Sequence, residues 1–291
     1  MTEMKKNKMI CSFSGGRTSA YLVHLLEKKR ISDGWDVEYV FMDTGAEHPK
    51  TYEFVRNVVE HYGIDLTVLK TKINKEMGVG PTYEVHSIDS IGWDLSIFNE
   101  LTNKYGNPFN PGGGFCTDKL KTVTFQKYLK ANHQDATTWI GIRVDEPRRL
   151  KSKKGIRYLA ELSRMDKTDI MGWWKQMPFD LELQEHLGNC VFCIKKGVNK
   201  IALAIKDEPK LAKEWSQMLE TSRDRSKDPE VSKLHIYRGK MSMDGIAKFY
   251  ADIDRDWLHN SMNHAKRFET GSCSDSCEAF GCQADLFDNA V

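Results

Sequence analysis

The chain lacks an apolar run long enough to span a bilayer, and it lacks a signal-peptide pattern. Apolar residues make up 40% and charged residues 29% of the 291 positions, which is ordinary for a soluble protein. A membrane-spanning helix needs about 20 consecutive apolar residues. The basic first residues run directly into a strand-like segment, without an apolar region or a small-residue cleavage site. We therefore expect a cytoplasmic protein with no membrane role.

An excess of charge of one sign is lacking as well. The 43 Lys and Arg residues nearly balance the 41 Asp and Glu residues, and the formal net charge is +2. The total charge therefore implies no general affinity for nucleic acid. The seven cysteines are an odd number, and a reducing compartment argues against a disulfide framework. Metal ligation or redox chemistry is the better interpretation of these cysteines.

Apolar runs alternate with helical periodicity in most of the chain before residue 197. Met9–Phe13 is a strand-like run that leads to a Gly pair, and Tyr21, Leu22 and Leu25 then recur at helical spacing. Further strand-like runs cover residues 37–42, 66–69 and 137–142. This alternation predicts an α/β fold, with an open parallel sheet, helices on both faces and right-handed crossovers.

The domain organisation follows from where this alternation stops. We expect a nucleotide-binding α/β domain over residues 1–197, then a mainly helical C-terminal region over residues 198–291 with a cysteine-rich tail. Residues 71–115 are rich in Gly, Pro and polar side chains, and residues 143–169 are rich in Arg and Lys. Both stretches are predicted to be irregular, and such long loops are usually functional or disordered.

The turn after the first strand carries the first functional motif. Small residues let backbone N–H groups approach an anion, and the start of the following helix adds a partial positive charge. An ordinary strand-to-helix turn with a Ser or Thr cap is the alternative interpretation. The predicted phosphate-binding residues are Ser14, Gly15, Gly16, Arg17, Thr18 and Ser19.

Further motifs follow this loop in order along the chain. Asp43-Thr44-Gly45 ends the second predicted strand, and the residues after it include Pro49, Thr51, Tyr52 and Phe54. The later motifs are Cys116 with Lys119, Leu120 and Lys121, then Gly141-Ile142-Arg143 with Asp145, Glu146 and Arg148, then residues 169–174. Over residues 8–197 this set resembles the phosphoadenosine phosphosulfate (PAPS) reductases and the related ATP pyrophosphatases, which are adenine nucleotide alpha-hydrolase-like proteins.

The resemblance implies an adenine nucleotide site at the carboxyl edge of the sheet. The loop after the first strand would hold phosphate, and Asp43 and Thr44 would lie beside the ribose or the adenine. Residues 169–174 resemble the strand-and-Trp element of the family. The residues that this resemblance adds to the predicted nucleotide site are Asp43, Thr44, Gly45, Gly141 and Arg148.

The chain departs from the family pattern in two places. The tRNA-thiolating ATP pyrophosphatases usually carry Asp before the last Ser of the phosphate loop, where this chain has Thr18. The reductases end in a Glu-Cys-Gly-Leu-His tail that bears their nucleophilic cysteine, and this chain has no such tail. It carries Cys273, Cys277 and Cys282 instead. Cys277 and Cys282 are the candidate nucleophiles, because Gly281 lets the backbone turn close to a pocket.

Cys190 and Cys193 form a C-x-x-C pair that predicts a metal centre together with Cys116. Such thiolates hold iron–sulfur clusters, and the resemblance implies a 4Fe-4S cluster whose fourth ligand is exogenous sulfur or a tail cysteine such as Cys282. A structural zinc site and a thioredoxin-like dithiol are the alternatives. Cys11 lies inside the first strand and is interpreted as a core residue.

Basic residues form the third candidate group. Arg143, Arg148 and Arg149 could bind the phosphates and sulfate of a sulfonucleotide, because the planar guanidinium group suits bidentate contacts with oxyanions. Lys119 and Lys121 would assist them. Ligands of open α/β sheets bind outside the strand ends, which favours a functional and catalytic role for Arg143. The residues interpreted as solvated or structural are Lys151, Lys153, Lys154, His48, His86, His186, Trp173 and Trp174.

The resemblance implies an iron–sulfur enzyme that reduces adenylyl sulfate or its 3′-phosphate to sulfite, with a thioredoxin-type electron donor. The alternative is an ATP-dependent sulfurtransferase that uses the same nucleotide site and thiolates a nucleic acid or a small acceptor. A non-catalytic nucleic-acid-binding metalloprotein is a third hypothesis, and salt-sensitive binding without turnover would favour it. A homodimer is compatible with each of these hypotheses.

Overall fold

The computed structural model describes residues 8–106, 116–222, 237–238 and 241–265. It contains a six-stranded sheet in the order β4-β3-β2-β1-β5-β6. The strands are β1 (Met9–Phe13), β2 (Val37–Asp43), β3 (Leu66–Lys72), β4 (Thr82–His86), β5 (Thr137–Ile140) and β6 (Ile156–Tyr158). Every neighbouring pair is parallel except β3 and β4, which are antiparallel. The predicted α/β fold with a parallel sheet is confirmed, with one antiparallel strand added at its edge.

Helices cover both faces of the sheet, as the alternation predicts. On one face, α1 (Arg17–Asp33) and α2 (Pro49–Tyr62) pack on side chains such as Phe13 and Phe41. On the other face, α4 (Val123–Asn132) packs on Ile10 and its neighbours. Successive residues of a strand point to opposite faces, so each central strand contributes to both cores. Cys11 is fully buried in β1, as predicted.

The stretch 71–115, predicted to be irregular, contains β4 and the helix α3 (Ser96–Tyr105) in its described part. β4 lies at the sheet edge and is half exposed, so its sequence has no continuous apolar run to signal a strand. Phe98 and Leu101 bury one side of α3. The prediction failed because Gly and polar residues around these short elements masked their periodicity. Residues 107–115, with their Gly run, lie outside the described part.

The stretch 143–169 is likewise more regular than predicted, since it contains β6 and the start of α5 (Lys167–Trp174). The expected strand-and-Trp element at residues 169–174 is wrong in its first part, because these residues are helical. Asp166 and Asp169 form a reciprocal capping box, at 2.9 and 3.1 Å, that starts the helix. Trp174 is fully buried, as expected of a core residue.

The C-terminal part is helical, as predicted. The helices are α6 (Val198–Asp207), α7 (Pro209–Glu220), α8 (Met243–Phe249) and α9 (Arg255–Ala265). Their apolar sides share one core with α3 and with Val191 and Phe192 of the C-x-x-C segment. This shared core fixes the C-x-x-C turn against the nucleotide-binding part. In the described residues, no helix is long and apolar enough to cross a membrane.

Candidate active site

The loop between β1 and α1 is closed by its own serines. Ser19 Oγ accepts hydrogen bonds from the backbone N–H of Ser14 at 3.1 Å and from Ser14 Oγ at 2.9 Å, and it donates to the Gly16 carbonyl at 3.0 Å. Gly16 is the N-cap of α1 and offers no side-chain cap. The first turn of α1 therefore keeps backbone N–H groups that an anion could accept, at the positive end of the helix.

Gly15 allows the loop to pack directly on α2. Its φ is +80°, and a Cβ atom there would lie 2.9 Å from Thr51 Cγ2 and 3.3 Å from Phe41 Cε2. A larger residue would push the loop away from the helix. The loop conformation thus depends on glycine at this position.

An open pocket lies directly outside this loop. Its walls come from the loop, from the start of α2, from the end of β5, from α5 and from the segment after α5. The lining residues are Ser14, Gly15, Gly16, Arg17, Thr18, Glu47, Thr51, Arg143, Lys167, Ile170, Met171, Leu181, Leu183, Gln184, Glu185, Gly188 and Asn189. The predicted phosphate loop and Arg143 therefore share one pocket at the carboxyl edge of the sheet.

Arg143 is buried and held from three sides. Its Nε and Nη2 donate to Asp145 at 2.8 and 3.1 Å, and its Nη1 donates to Thr18 Oγ1 at 3.1 Å. The carboxylate of Glu146 accepts from the Arg143 backbone N–H at 3.1 Å. The guanidinium group is thus fixed beside the loop, and Asp145 and Glu146, the latter 3.6 Å from Nη1, partly balance its charge.

Arg17 has a different role from the other loop residues. Its Nε and Nη2 donate to the carboxylate of Asp180 at 2.6 and 3.0 Å, and its Nη2 also contacts the Leu181 carbonyl. The indole of Trp174 donates to the Arg17 carbonyl at 2.9 Å. The Arg17 side chain therefore ties the segment after α5 to the loop.

The turn Asp43-Thr44-Gly45 is built around a buried carboxylate. Asp43 Oδ1 accepts from the backbone N–H of Gly45 at 2.9 Å and from the hydroxyl of Tyr52 at 3.1 Å, and Lys70 Nζ lies 3.3 Å from Oδ2. Burial and the Asp43 charge raise the pKa of Tyr52 well above its ordinary value, so its hydroxyl remains a donor. Thr44 Oγ1 is buried without a hydrogen-bond partner among the described residues. Such a group is available to a bound ligand.

Six of the eleven predicted nucleotide-binding residues do not line the pocket: Ser19, Asp43, Thr44, Gly45, Gly141 and Arg148. Asp43, Thr44 and Gly45 lie at the end of the neighbouring strand β2. Gly141 is buried directly after β5, behind Arg143. Arg148 is exposed on the turn Pro147–Arg149, which leads away from the pocket. The sequence could not show that only Arg143 would line the pocket, because the two arginines are close in the chain and the turn between them decides their positions.

The C-x-x-C turn lies against the pocket wall. Glu47 and Cys190 form an antiparallel bridge, the Val191 N–H donates to the Ala46 carbonyl at 3.0 Å, and Cys190 Sγ is 3.9 Å from Glu47 Oε1. Gly188 and Asn189, which precede Cys190, line the pocket. The bridge therefore brings a thiol next to the predicted nucleotide site.

Tyr237 has all three predicted thiol ligands in its surroundings. Burial raises the pKa of its phenol well above the ordinary value, and the charges of Cys193, Cys116 and Cys190 raise it further. Cys116 precedes the π-helical turn Asp118–Thr122, and π-helical turns are frequent at functional sites. In the described residues, however, no group of three or more His, Cys, Asp or Glu side chains is arranged to hold a single metal ion. Cys273, Cys277 and Cys282 lie outside the described part.

Two buried lysines lie near the C-x-x-C turn. From the sequence, Lys121 was expected to assist in binding phosphate, and Lys196 was not identified. Lys121 Nζ is 3.3 Å from Glu47 Oε1, rather than at the pocket. Lys196 Nζ donates to the carbonyls of His186 and Val191 at 2.7 and 2.8 Å. A Lys three residues after a C-x-x-C pair was the only available signal for Lys196.

The basic stretch after β5 does not form one surface at the pocket. The Gly155 carbonyl accepts a hydrogen bond from the Thr138 N–H near the amino end of β5. The Lys153 carbonyl accepts one from the Ile156 N–H, at the start of β6. Lys153 and Lys154 are exposed at this end, opposite Arg143. Their expected role as solvated residues agrees with this placement.

The three histidines that the sequence analysis interpreted as structural, His48, His86 and His186, each contact a carboxylate outside the pocket. His48 is the N-cap of α2, where its Nδ1 accepts from the Lys50 N–H at 3.1 Å, and its Nε2 contacts Glu208 at 3.0 Å. His186 is buried 2.8 Å from Asp207, and burial lowers its pKa to about 4. His86 is on the edge strand, 3.6 Å from Glu84. None of them lines the pocket.

The comparisons with known proteins agree with this architecture. Residues 8–177 match the phosphoadenosine phosphosulfate reductase domain, and the chain belongs to this family. It is 54% identical, over 95% of its length and 97% of the relative, to the uncharacterized nin region protein ORF290 of Escherichia phage lambda. An uncharacterized protein of Methanocaldococcus jannaschii is 23% identical over 75% of this chain and 42% of that protein.

A solved structure, phosphoadenylyl-sulfate reductase from Candida auris in its phosphate complex, is 19% identical, with a TM-score of 0.38. That match covers 58% of this chain and 71% of the other chain.

Proposed function

We propose that this chain is a sulfonucleotide reductase-like enzyme that processes an adenine nucleotide beside a cysteine-thiolate centre. The observation that carries the proposal is the position of Glu47, which lines the pocket and lies 3.9 Å from Cys190 Sγ. The proposed nucleotide site and the Cys190 thiol therefore lie on either side of Glu47, at the same wall of the pocket. A family enzyme that couples nucleotide binding to sulfur chemistry requires this proximity.

The pocket chemistry suits an anionic nucleotide. The phosphates would lie at the start of α1, where backbone N–H groups and the helix dipole favour negative charge. Arg143, which is paired with Asp145, and Lys167, 3.3 Å from Glu185, are cationic side chains of the lining that we propose to face the phosphates. The uncompensated hydroxyl of Thr44 and the Asp43 carboxylate, at the adjacent strand end, are the groups we propose for the ribose or the adenine.

We propose an iron–sulfur cluster on the basis of the family resemblance, since such clusters are held by cysteine thiolates. The charges of Cys193, Cys116 and Cys190 all act on the buried Tyr237 phenol, which supports one shared neighbourhood for the three thiols. Cys116, Cys190 and Cys193 would hold the cluster, with Cys282 or exogenous sulfur at the fourth iron. When bound, it would supply a charged, redox-active group beside the pocket.

The proposed reaction begins with a cysteine thiolate, from Cys277 or Cys282, that attacks the sulfate sulfur of the nucleotide. A sulfur–sulfur bond forms, the bond from sulfur to the phosphate oxygen breaks, and the nucleotide leaves with that electron pair. A thiol of a thioredoxin-type donor then attacks the cysteine sulfur and releases sulfite. The second donor thiol resolves the mixed disulfide, so the donor is oxidised. Arg143 would stabilise the negative charge of the leaving group.

An ATP-dependent sulfurtransferase is the second candidate. The set of Cys116, Cys190 and Cys193 resembles the three-cysteine cluster of tRNA-thiolating enzymes and favours this candidate, whereas Thr18 favours the reductase. Thr18 accepts a hydrogen bond from Arg143 at 3.1 Å, at the position where the thiolating enzymes usually carry an acidic residue. A neutral acceptor paired with Arg leaves the loop more positive, which suits direct binding of an oxyanion. The thiolate centre and a cytoplasmic location belong to both candidates.

The experiment is anaerobic purification followed by two parallel assays. Sulfite release from adenylyl sulfate and from its 3′-phosphate, with a thioredoxin-type dithiol as electron donor, tests the reductase, and pyrophosphate release from ATP tests the transferase. Cys277→Ser and Cys282→Ser are compared with Cys273→Ser as the matched control. Sulfite release that one candidate variant abolishes while iron is retained supports the reductase. Pyrophosphate release without sulfite, unaffected by all three variants, would contradict the reductase and favour the transferase.

A further inference from the structure

Gln184 lines the pocket on the segment that follows α5, and a residue of the C-terminal helices holds its side-chain amide. Arg255, the first residue of α9, donates from its Nη2 to Gln184 Oε1 at 3.1 Å. A guanidinium group carries donors alone, so the amide must turn its oxygen, and not its nitrogen, toward Arg255. The contact therefore determines which way round the Gln184 amide lies.

Arg255 is itself anchored by a carboxylate. Its Nε and Nη2 donate to the two carboxylate oxygens of Asp207, at the end of α6, at 2.6 and 2.8 Å. Asp207 Oδ2 also lies 2.8 Å from Nε2 of His186, which follows Gln184 by two residues. A bidentate pair has a defined geometry, so the guanidinium group cannot follow the amide if the amide turns.

The amide nitrogen of Gln184 is left with its N–H groups for another acceptor. Within the described part of the chain, no group accepts a hydrogen bond from Gln184 Nε2. The side chain is exposed, and it belongs to the lining of the pocket. The proposed phosphate loop is close along this wall, since Arg17 of the loop contacts the carbonyl of Leu181, three residues before Gln184. An N–H donor beside an oxyanion site suits a phosphate or sulfate oxygen.

We propose that Gln184 is a binding residue that donates to an oxyanion oxygen of the nucleotide, and that Arg255 is the positioning residue that keeps these donors turned to the pocket. The inference rests on the proposed nucleotide site and adds one donor to it. It also makes the C-terminal helices part of ligand recognition, because Asp207 and Arg255 belong to them.

The rival explanation is that Gln184 and Arg255 only fasten the C-terminal helices to the segment after α5. Gln184→Glu separates the two roles. A glutamate still accepts from Arg255, with an added charge that strengthens the contact, but an ionised carboxylate has no donor for an oxyanion. A fastening role predicts unchanged binding in this variant, whereas the proposed donor role predicts weaker binding. Gln184→Met removes the donor without adding a charge.

The test is calorimetric titration of adenosine 5′-diphosphate and of inorganic pyrophosphate into the full-length protein, with urea midpoints for every variant. We expect Gln184→Met to weaken the binding of both ligands about tenfold, the worth of one hydrogen bond to a charged acceptor. Gln184→Glu should weaken it further by repulsion. Arg255→Met should weaken it about threefold to tenfold, the cost of ordering one side chain.

Arg30→Met is the matched control for Arg255→Met. Arg30 makes a two-pronged contact with Glu27 within α1, outside the pocket lining. Its side chain is 46% exposed, against 41% for Arg255. The control therefore loses a similar ion pair, and it should bind both ligands like the wild type.

Wild-type affinity in Gln184→Met or in Gln184→Glu would overturn the donor role. A loss for the nucleotide without a loss for pyrophosphate would overturn the oxyanion as the acceptor. The positioning role is decided by the double variant Gln184→Met/Arg255→Met, which should bind like Gln184→Met alone. A further loss as large as that of Arg255→Met alone would show that Arg255 does not act through the amide.

If Arg255→Met does not fold, Arg255→Lys takes its place in the same comparison, because it keeps a charge beside Asp207 without the fork. Wild-type protein that binds neither ligand would remove the proposed nucleotide site, and this inference with it. That result is distinct from any difference between the variants.

Discussion

Gly45 provides the sharpest test of how the nucleotide site is built. It has a φ of +73° in the turn after β2, and its carbonyl accepts a hydrogen bond from the Asp94 N–H at 2.9 Å. A Cβ atom at this position would lie 1.8 Å from the Asp94 carbonyl oxygen. Gly45→Ala therefore forces either the turn or the segment before α3 to move, because the new Cβ atom would overlap a backbone oxygen that has no other rotamer.

The magnitude follows from two contributions. A left-handed backbone conformation costs an alanine about 1–2 kcal/mol. Moving Asp94 away also breaks a backbone hydrogen bond of about 1 kcal/mol and loosens the packing around it. We expect Gly45→Ala to lower the free energy of unfolding by about 3 kcal/mol or more. Gly63→Ala is the matched control, since Gly63 has a φ of +58° and nothing lies within 4 Å of its Cβ position. It should lose about 1–2 kcal/mol.

The assay is urea unfolding of both variants, with titration of adenosine 5′-phosphate into each protein by calorimetry. Gly45→Ala should weaken nucleotide binding as well as stability, because the turn carries Asp43 and Thr44. Gly63→Ala should bind nucleotide like the wild type, since it lies at the far end of α2. Equal losses of stability in the two variants would refute the view that the close approach to Asp94 determines this turn.

Three further predictions concern the thiols, the loop and the pH dependence. Cys190→Ser should lower the iron content of anaerobically purified protein severalfold, whereas Cys11→Ser, in the core of β1, should leave the iron content unchanged. Equal iron contents in the two variants would show that Cys190 is not part of the proposed centre. Arg17→Lys should weaken nucleotide binding by about 1 kcal/mol, because the two-pronged contact with Asp180 is lost, and calorimetry against Lys29→Arg would detect it. Burial lowers the pKa of His24 and of His186 to about 4, below the ordinary 6.5. As the pH falls, the unfolded chain therefore binds protons before the folded protein does, and the free energy of unfolding should decrease between about pH 6.5 and pH 4. The His24→Gln/His186→Gln double variant should show a shallower fall in urea midpoints, and an unchanged slope would contradict the assignment.

The fold was predictable to a large extent because its central strands are buried. β1, β2, β3 and β5 each contain a short, largely apolar or β-branched run, and such runs signal strands in the sequence alone. β4 and β6 lie at the two edges of the sheet, and they lack this signal. Their residues are shared between solvent and neighbours, so local composition resembles that of a loop. Tertiary pairing decides that these segments are strands.

The loop that we propose for phosphate could be recognised in the sequence because its residues are contiguous. Ser14 to Ser19 form one turn, and the residues that close it are neighbours in the chain. The contacts of the Arg17 side chain and the exposed position of Arg148 could not be predicted in this way. Asp180, distant in sequence, engages Arg17, and the turn after Arg143 carries Arg148 away.

What the sequence by itself determined is therefore the order of the central elements, the family and the cysteines that could act together. Periodicity, glycine placement and motif order are local properties, and local interactions are encoded by neighbouring residues. Only the tertiary structure decided that Glu47 meets Cys190 at the pocket wall and that Lys196 bonds to the carbonyl of Val191, inside the C-x-x-C turn. Contacts of this kind depend on how the shared core of α3, α6 and α7 fixes the C-x-x-C turn. No spacing in the chain carries that information.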